Sequence, residues 1–317
     1  MLDVDVRPLL EGPARERPRV VILGGTQGSG KSSALPLIAE QLGMADAVRV
    51  EGDDLLSLLP QFEPIAREHG VMEAFNQVGE DLSELMRMTL EETRRLRRDA
   101  ILVGPYTAVE PTFQRLAEFT SAGYSAEAAY MAVHPARAQL GVLHRHHVAM
   151  RDGIGYSHAI PLELQERVYR NTPLIMAQAQ TESRVEALHI ADRQGIVLTT
   201  RLQPDGTWTP QVDLHQAVHA HRMRPWDAET RADFTRRRED IRPTLTGAEW
   251  AERLASIDRL AAPMLTDPTP RPSVVAARSR STTTDPSRAQ RKPPAASPSH
   301  PSPPRTHGPE GSPGRTR

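Results

Sequence analysis

Gly25-Thr26-Gln27-Gly28-Ser29-Gly30-Lys31-Ser32 satisfies every position of the G-x-x-x-x-G-K-[ST] phosphate-binding loop. The chemistry of that pattern is anion capture. Glycines at 25, 28 and 30 let the backbone curl until successive N–H groups face one anion without Cβ clashes. A helix starting at Ser33 would add a partial positive charge of about +0.5 at the same point. Lys31 can reach the outer phosphates, and the Ser32 hydroxyl can ligate Mg²⁺. The ligand this predicts is a nucleoside triphosphate, ATP or GTP. A second chemical group is acidic, Glu51-Gly52-Asp53-Asp54. Aspartate also suits a helix N-cap, but beside a phosphate loop Asp53 reads better as a functional residue. His144, Arg145, His146 and His147 form a basic stretch. Without cysteine or a carboxylate at ligand spacing, its histidines read as surface or lid residues rather than metal ligands.

The elements that must position these groups follow from the spacing. An apolar run, Arg19-Val20-Val21-Ile22-Leu23, leads into the loop, and residues 33–42 are helix-compatible. Short strands are expected at 47–50, 100–103 and 126–133, and a long or broken helix at 71–98. Further helices are expected at 110–122, 136–150 and 161–179, then a terminal hairpin over 185–190 and 196–202 around Gly195. Strands alternating with helices imply βαβ units. The predicted fold is α/β, a mostly parallel sheet flanked by helices, with a helical lid, a C-terminal helical extension and a disordered tail. Acidic residues at the exit of the second strand lie where such sheets bind ligands.

The 317 residues divide by composition into an arm (1–18), a phosphate-loop domain (19–210), a polar helical extension (211–267) and a Pro/Ser/Arg-rich tail (268–317). The extension has few apolar anchors: Trp226, Phe234, Trp250, Leu254, Ile257 and Leu260. The tail carries nine Lys/Arg against two Asp/Glu, within a chain of net charge −1. It has too little apolar surface to offset its ordering entropy. Nucleic acid is therefore not an expected partner of the core; only the tail's charge would suit it. The arginines 94, 95, 97 and 98 read as a solvated helix C-terminus. The absence of cysteine excludes disulfides and thiolate chemistry. With no 18-residue apolar run and no secretory signal at the N-terminus, a cytoplasmic protein without membrane association is expected.

The order of the motifs resembles the zeta-toxin family of P-loop kinases, the UDP-N-acetylglucosamine kinases, over roughly residues 19–203. The acidic signature Val50-Glu51-Gly52-Asp53-Asp54-Leu55, with Pro60 beyond it, is similar to that family's second-strand motif. So is the series Tyr130-Met131-Ala132-Val133-His134-Pro135, Leu140-Gly141, Arg145, Pro161 and Asn171-Thr172-Pro173. The resemblance implies a kinase using ATP and Mg²⁺ to phosphorylate a hydroxyl of a nucleotide-sugar, and an antitoxin protein as a partner. By the same resemblance Asp53 would be the general base, Lys31 would grip the phosphates and Arg145 would be a lid arginine on the transferring group. Residues 25–33 would hold the nucleotide, with Ser32 as the protein's metal ligand. Asp54, Val103, Thr107 and His158 are the candidates on the acceptor side.

Two positions depart from the family. Val103 stands where a glutamate usually holds the nucleotide-sugar, and His158 stands where a second lid arginine is usual. An unperturbed histidine, with a pKa of about 6.5, is only partly charged near neutrality. Two alternatives therefore stay open. One is a kinase for another small molecule, laid out like the chloramphenicol phosphotransferases. The other is an ATP-binding regulatory protein with weakened catalysis.

Overall fold

The computed structural model describes residues 6–154, 156, 161–242, 245 and 247–266. Its centre is β1 (Arg19–Gly24), an uninterrupted apolar run buried on both faces, as a central parallel strand must be. Val20 and Ile22 face one core, Val21 and Leu23 the other. β1 pairs in parallel with β3 (Ala100–Gly104) and β4 (Ser125–Met131). Outside these lie β2 (Val48–Glu51), parallel to β3, and β5 (Ala187–Asp192), parallel to β4. The expected hairpin is present: β6 (Gly195–Leu202) runs antiparallel to β5, and a two-residue β7 (Trp208–Thr209) closes the order β2-β3-β1-β4-β5-β6-β7.

Helix α1 (Lys31–Gln41) packs on one face with Ala34, Leu35, Ile38 and Ala39. The other face is covered by α2 (Gly52–Leu56), α3 (Phe62–His69), α4 (Val71–Arg95), α5 (Val109–Ser121) and α7 (Leu162–Thr181). α4 is one unbroken helix. In its last turn, Arg94 and Arg95 are engaged by Glu118 and Glu92. The N-terminal segment contributes more than its composition suggests, because Val6 and Leu10 are buried in the larger core.

Two corrections concern local placement. The strand before the acidic signature ends at Glu51, so Asp53 and Asp54 lie in the first turn of α2. About 100° of helical rotation separates their side chains. In the C-terminal segment, α8 (Leu214–Arg222) packs on α7, while α9 (Ala228–Ile241) and α10 (Ala248–Leu265) pack on α6 (Pro135–Arg151). Trp226, Phe234, Leu254 and Ile257 bury against Ala136, Leu140 and Leu143 of α6, and Trp250 packs beside them. Leu260 does not join them and remains 37% exposed. Among the described residues no helix is long and apolar enough to cross a membrane. The tail 268–317 lies outside the described residues.

Candidate functional site

The phosphate loop is held by its backbone and by three neighbours. Gly28 adopts a left-handed φ of +74°, and a Cβ there would lie 2.1 Å from the Ala138 carbonyl of α6. Reciprocally, a Cβ on Gly141 would lie 2.4 Å from the Gly28 carbonyl. α6 thus touches the loop backbone to backbone, which only paired glycines permit. Gln165 of α7 is 2% exposed and ties the loop from a second side. Its carbonyl accepts from Thr26 Oγ1 at 2.9 Å, and its Nε2 donates to the Gln27 carbonyl at 2.8 Å. Arg193, in the β5–β6 turn, donates to the Ser29 and Gly28 carbonyls at 3.2 and 2.9 Å. Gln165 and Arg193 carried no motif signal, because each is recognisable only by what folding brings beside it.

At the loop exit Lys31 Nζ donates to the carbonyls of Gly25 (2.8 Å) and Thr26 (3.2 Å). Burial pulls its ammonium down to about 8; Glu51 and Asp53 push the other way, and Arg145 adds to the fall. Four charged groups from α1, β2, α2 and α6 therefore share one electrostatic environment. Ser32 Oγ donates to Glu51 Oε1 at 2.8 Å, which adds Glu51 to the residues singled out from sequence. The oxygens of Ser32 and Glu51 are the hard donors that Mg²⁺ prefers. Among the described residues no group of three or more His, Asp or Glu side chains could hold a metal alone, so such an ion needs phosphate oxygens as well. Ser33 follows in the first turn of α1.

Asp53 and Arg145 meet at 3.6 Å (Oδ2 to Nη1), each about half exposed. Asp54 is adjacent, its carboxyl pushed up by partial desolvation and then by the Asp53 charge. Val103 is 5% exposed and packs in the core beneath α1, with Leu23 and Ala34. It also borders a cavity of about 290 Å³ at the ends of β2 and β3 that includes Gly52, Tyr106, Thr107 and Arg115. Asn171 Nδ2 donates to the Thr107 carbonyl at 2.6 Å, fastening that rim to α7. His158 lies outside the described residues. His144 and His146 are lowered mainly by partial burial and then by neighbouring cations, and His146 stacks on Trp250 at 5.1 Å.

Comparison with known proteins agrees with this layout. The zeta toxin family model matches residues 9–202. A zeta toxin of Streptococcus pyogenes is 21% identical over 230 residues, 71% of this chain and 79% of that protein. One from Enterococcus hirae is 20% identical over 205 residues, 64% of this chain and 70% of that protein. A structure from the PezAT chromosomal toxin–antitoxin system of Streptococcus pneumoniae superposes with a TM-score of 0.61 at 14% identity, over 75% of this chain and 93% of that one. With its family match spanning well over half of its length, the chain belongs to the zeta toxin family.

Proposed function

We propose that the protein is a kinase that moves the γ-phosphoryl group of ATP to a hydroxyl of a small molecule, with a nucleotide-sugar such as UDP-N-acetylglucosamine as the acceptor. The observation that carries this is the approach of Asp53 to Arg145 beside Lys31. A base, a guanidinium and a phosphate-gripping ammonium are the parts that phosphoryl transfer needs in one place.

In this reading the loop N–H groups and Lys31 hold the phosphates, and Lys31 gives up its carbonyl partners to do so. Asp53 accepts the proton of the acceptor hydroxyl as its oxygen bonds to the γ-phosphorus and the bond to ADP breaks. Arg145 leaves Asp53 and turns its planar donors to the γ-phosphoryl oxygens. Ser32, with Glu51 behind it, would hold Mg²⁺, which when bound neutralises phosphate charge. We place this chemistry in residues 19–210, with 211–267 as an extension packed on the lid helix.

Labelled ATP, Mg²⁺ and UDP-N-acetylglucosamine test the reading: transfer by wild type and its loss in Asp53→Ala support it, and no transfer by wild type counts against it. A second acceptor class has its own support. The cavity beyond Gly52 is walled largely by Val50, Met86, Leu90, Leu102, Val103 and Tyr106, which suits a less polar alcohol. A metabolite and antibiotic screen with the same label separates the two. The family name, and the description of the PezAT system as toxin–antitoxin, support an antitoxin as partner. Relief of growth arrest by a co-expressed neighbouring gene product would test that.

A further inference from the structure

A cavity of about 310 Å³ opens between α6, α7 and α10, with Thr26 of the phosphate loop in its wall. It shares no lining residue with the cavity bordered by Val103 and Thr107. Pro135, Ala138, Tyr169 and Leu260 make its walls mostly apolar, and Gln139 and Gln165 interrupt them. Leu260 belongs to α10, outside residues 9–202 that the family model matches.

Three side chains on these walls lack the contacts that residues of their kind usually make. Gln139 is 5% exposed and Gln165 is 2% exposed, yet the Oε1 atom of each is buried without a hydrogen-bond partner. For Gln165 the assignment of that end is fixed, because its Nε2 donates to the Gln27 carbonyl at 2.8 Å. A buried acceptor without a donor costs free energy, so each oxygen calls for an N–H or O–H. Leu260, an apolar side chain of the extension, leaves the α6 cluster and stays partly exposed on the cavity wall. The charged residues at the cavity, Glu166 and Arg170, are exposed, of opposite sign and one turn apart on α7. They leave no net charge to attract an ion.

A single water would give the two oxygens donors but occupies only about 30 Å³, leaving most of an apolar space unfilled. The volume falls at the small end of ligand cavities, about 300–1,000 Å³. We propose that this cavity binds a small neutral aromatic molecule that donates an N–H or O–H to Gln139 Oε1, with Gln165 Oε1 as a second acceptor. A rigid ring buries apolar area against Pro135, Ala138, Tyr169 and Leu260 at little cost in conformational freedom. The proposal stands whichever acceptor the chain phosphorylates.

The test is calorimetric titration of the full chain with indole and with 1-methylindole, which has the same ring and no donor. Saturating Mg²⁺ and adenylyl imidodiphosphate keep the nucleotide site filled throughout. One-site binding of indole is expected, with 1-methylindole about tenfold weaker, the loss of one buried hydrogen bond. Leu260→Trp, which fills the cavity, should abolish binding, and Gln139→Leu should bring the two ligands to equal affinity. Because the Gln139 oxygen has no partner to lose, Gln139→Leu decides the matter even if Leu260→Trp fails to fold. No binding at millimolar indole would show a cavity holding water only and overturns the proposal. So does binding displaced by the nucleotide analogue, retained in Leu260→Trp, or still selective for indole in Gln139→Leu.

Discussion

Arg145 Nη1 stands 3.6 Å from Asp53 Oδ2, joining α6 to the first turn of α2, and both charges act on Lys31. Each partner is about half exposed, so the pair contributes at most about 1 kcal/mol to stability. Its meaning is positional: the guanidinium and the carboxylate that the proposed reaction would use occupy each other until substrates separate them.

Asp53→Asn should therefore leave the melting temperature within a few degrees of wild type while phosphoryl transfer falls about 10²- to 10⁴-fold. Arg145→Ala should cost about 10³-fold or more in turnover. Steady-state kinetics beside a thermal melt decide this, and full turnover in Asp53→Asn would remove it from the mechanism.

Lys31 sets a pH dependence for nucleotide binding. Its ammonium sits at about 8, and a bound polyphosphate favours the charged form. Binding must then take up a proton once the free lysine has lost it. Affinity should be flat below pH 8 and weaken above it, approaching about tenfold per pH unit. Calorimetry in buffers of different ionisation enthalpy should show proton uptake near half a proton at pH 8. An affinity unchanged from pH 7 to 9.5 would contradict the assignment.

Gly141 lies one turn before Arg145 on α6, with no room for a methyl group against the Gly28 carbonyl. Gly141→Ala should push α6 off the loop and carry Arg145 with it. A displacement on the order of 1 Å is enough to cost about 10²-fold in rate, with roughly 1–3 kcal/mol lost from overpacking. Wild-type turnover in this variant would show that the contact is dispensable.

Acid stability should depend on Glu127, buried on β4. Burial alone would raise its carboxyl, but His189 Nε2 at 2.8 Å and Arg19 at 2.7 Å outweigh that and hold it at about 2. A depressed carboxyl stabilises the fold above its unfolded pKa of about 4.3, and that stability is lost as pH falls from there toward 2. Glu127→Gln should lose about 3 kcal/mol at pH 7 and flatten the acid limb between pH 5 and 2. Urea melts across that range check it; parallel acid limbs would refute the account.

The sequence alone determined the phosphate loop, the order of strands and of the helices other than α2 and α3, the hairpin at the sheet's end and the family. These are written in local pattern: a glycine-spaced loop, apolar runs of strand length, helical periodicity and a motif series in fixed order. What the sequence could not display is anything that depends on distant chain segments meeting. Glu51 beside Ser32, Gln165 and Arg193 clamping the loop, and Gly141 against Gly28 all join residues 19 to 165 positions apart. Even the acidic signature misled locally, because where β2 yields to α2 is set by pairing with β3 rather than by residue type. Hydrogen bonds and excluded volume act across space, so tertiary structure alone decided which charges face one another.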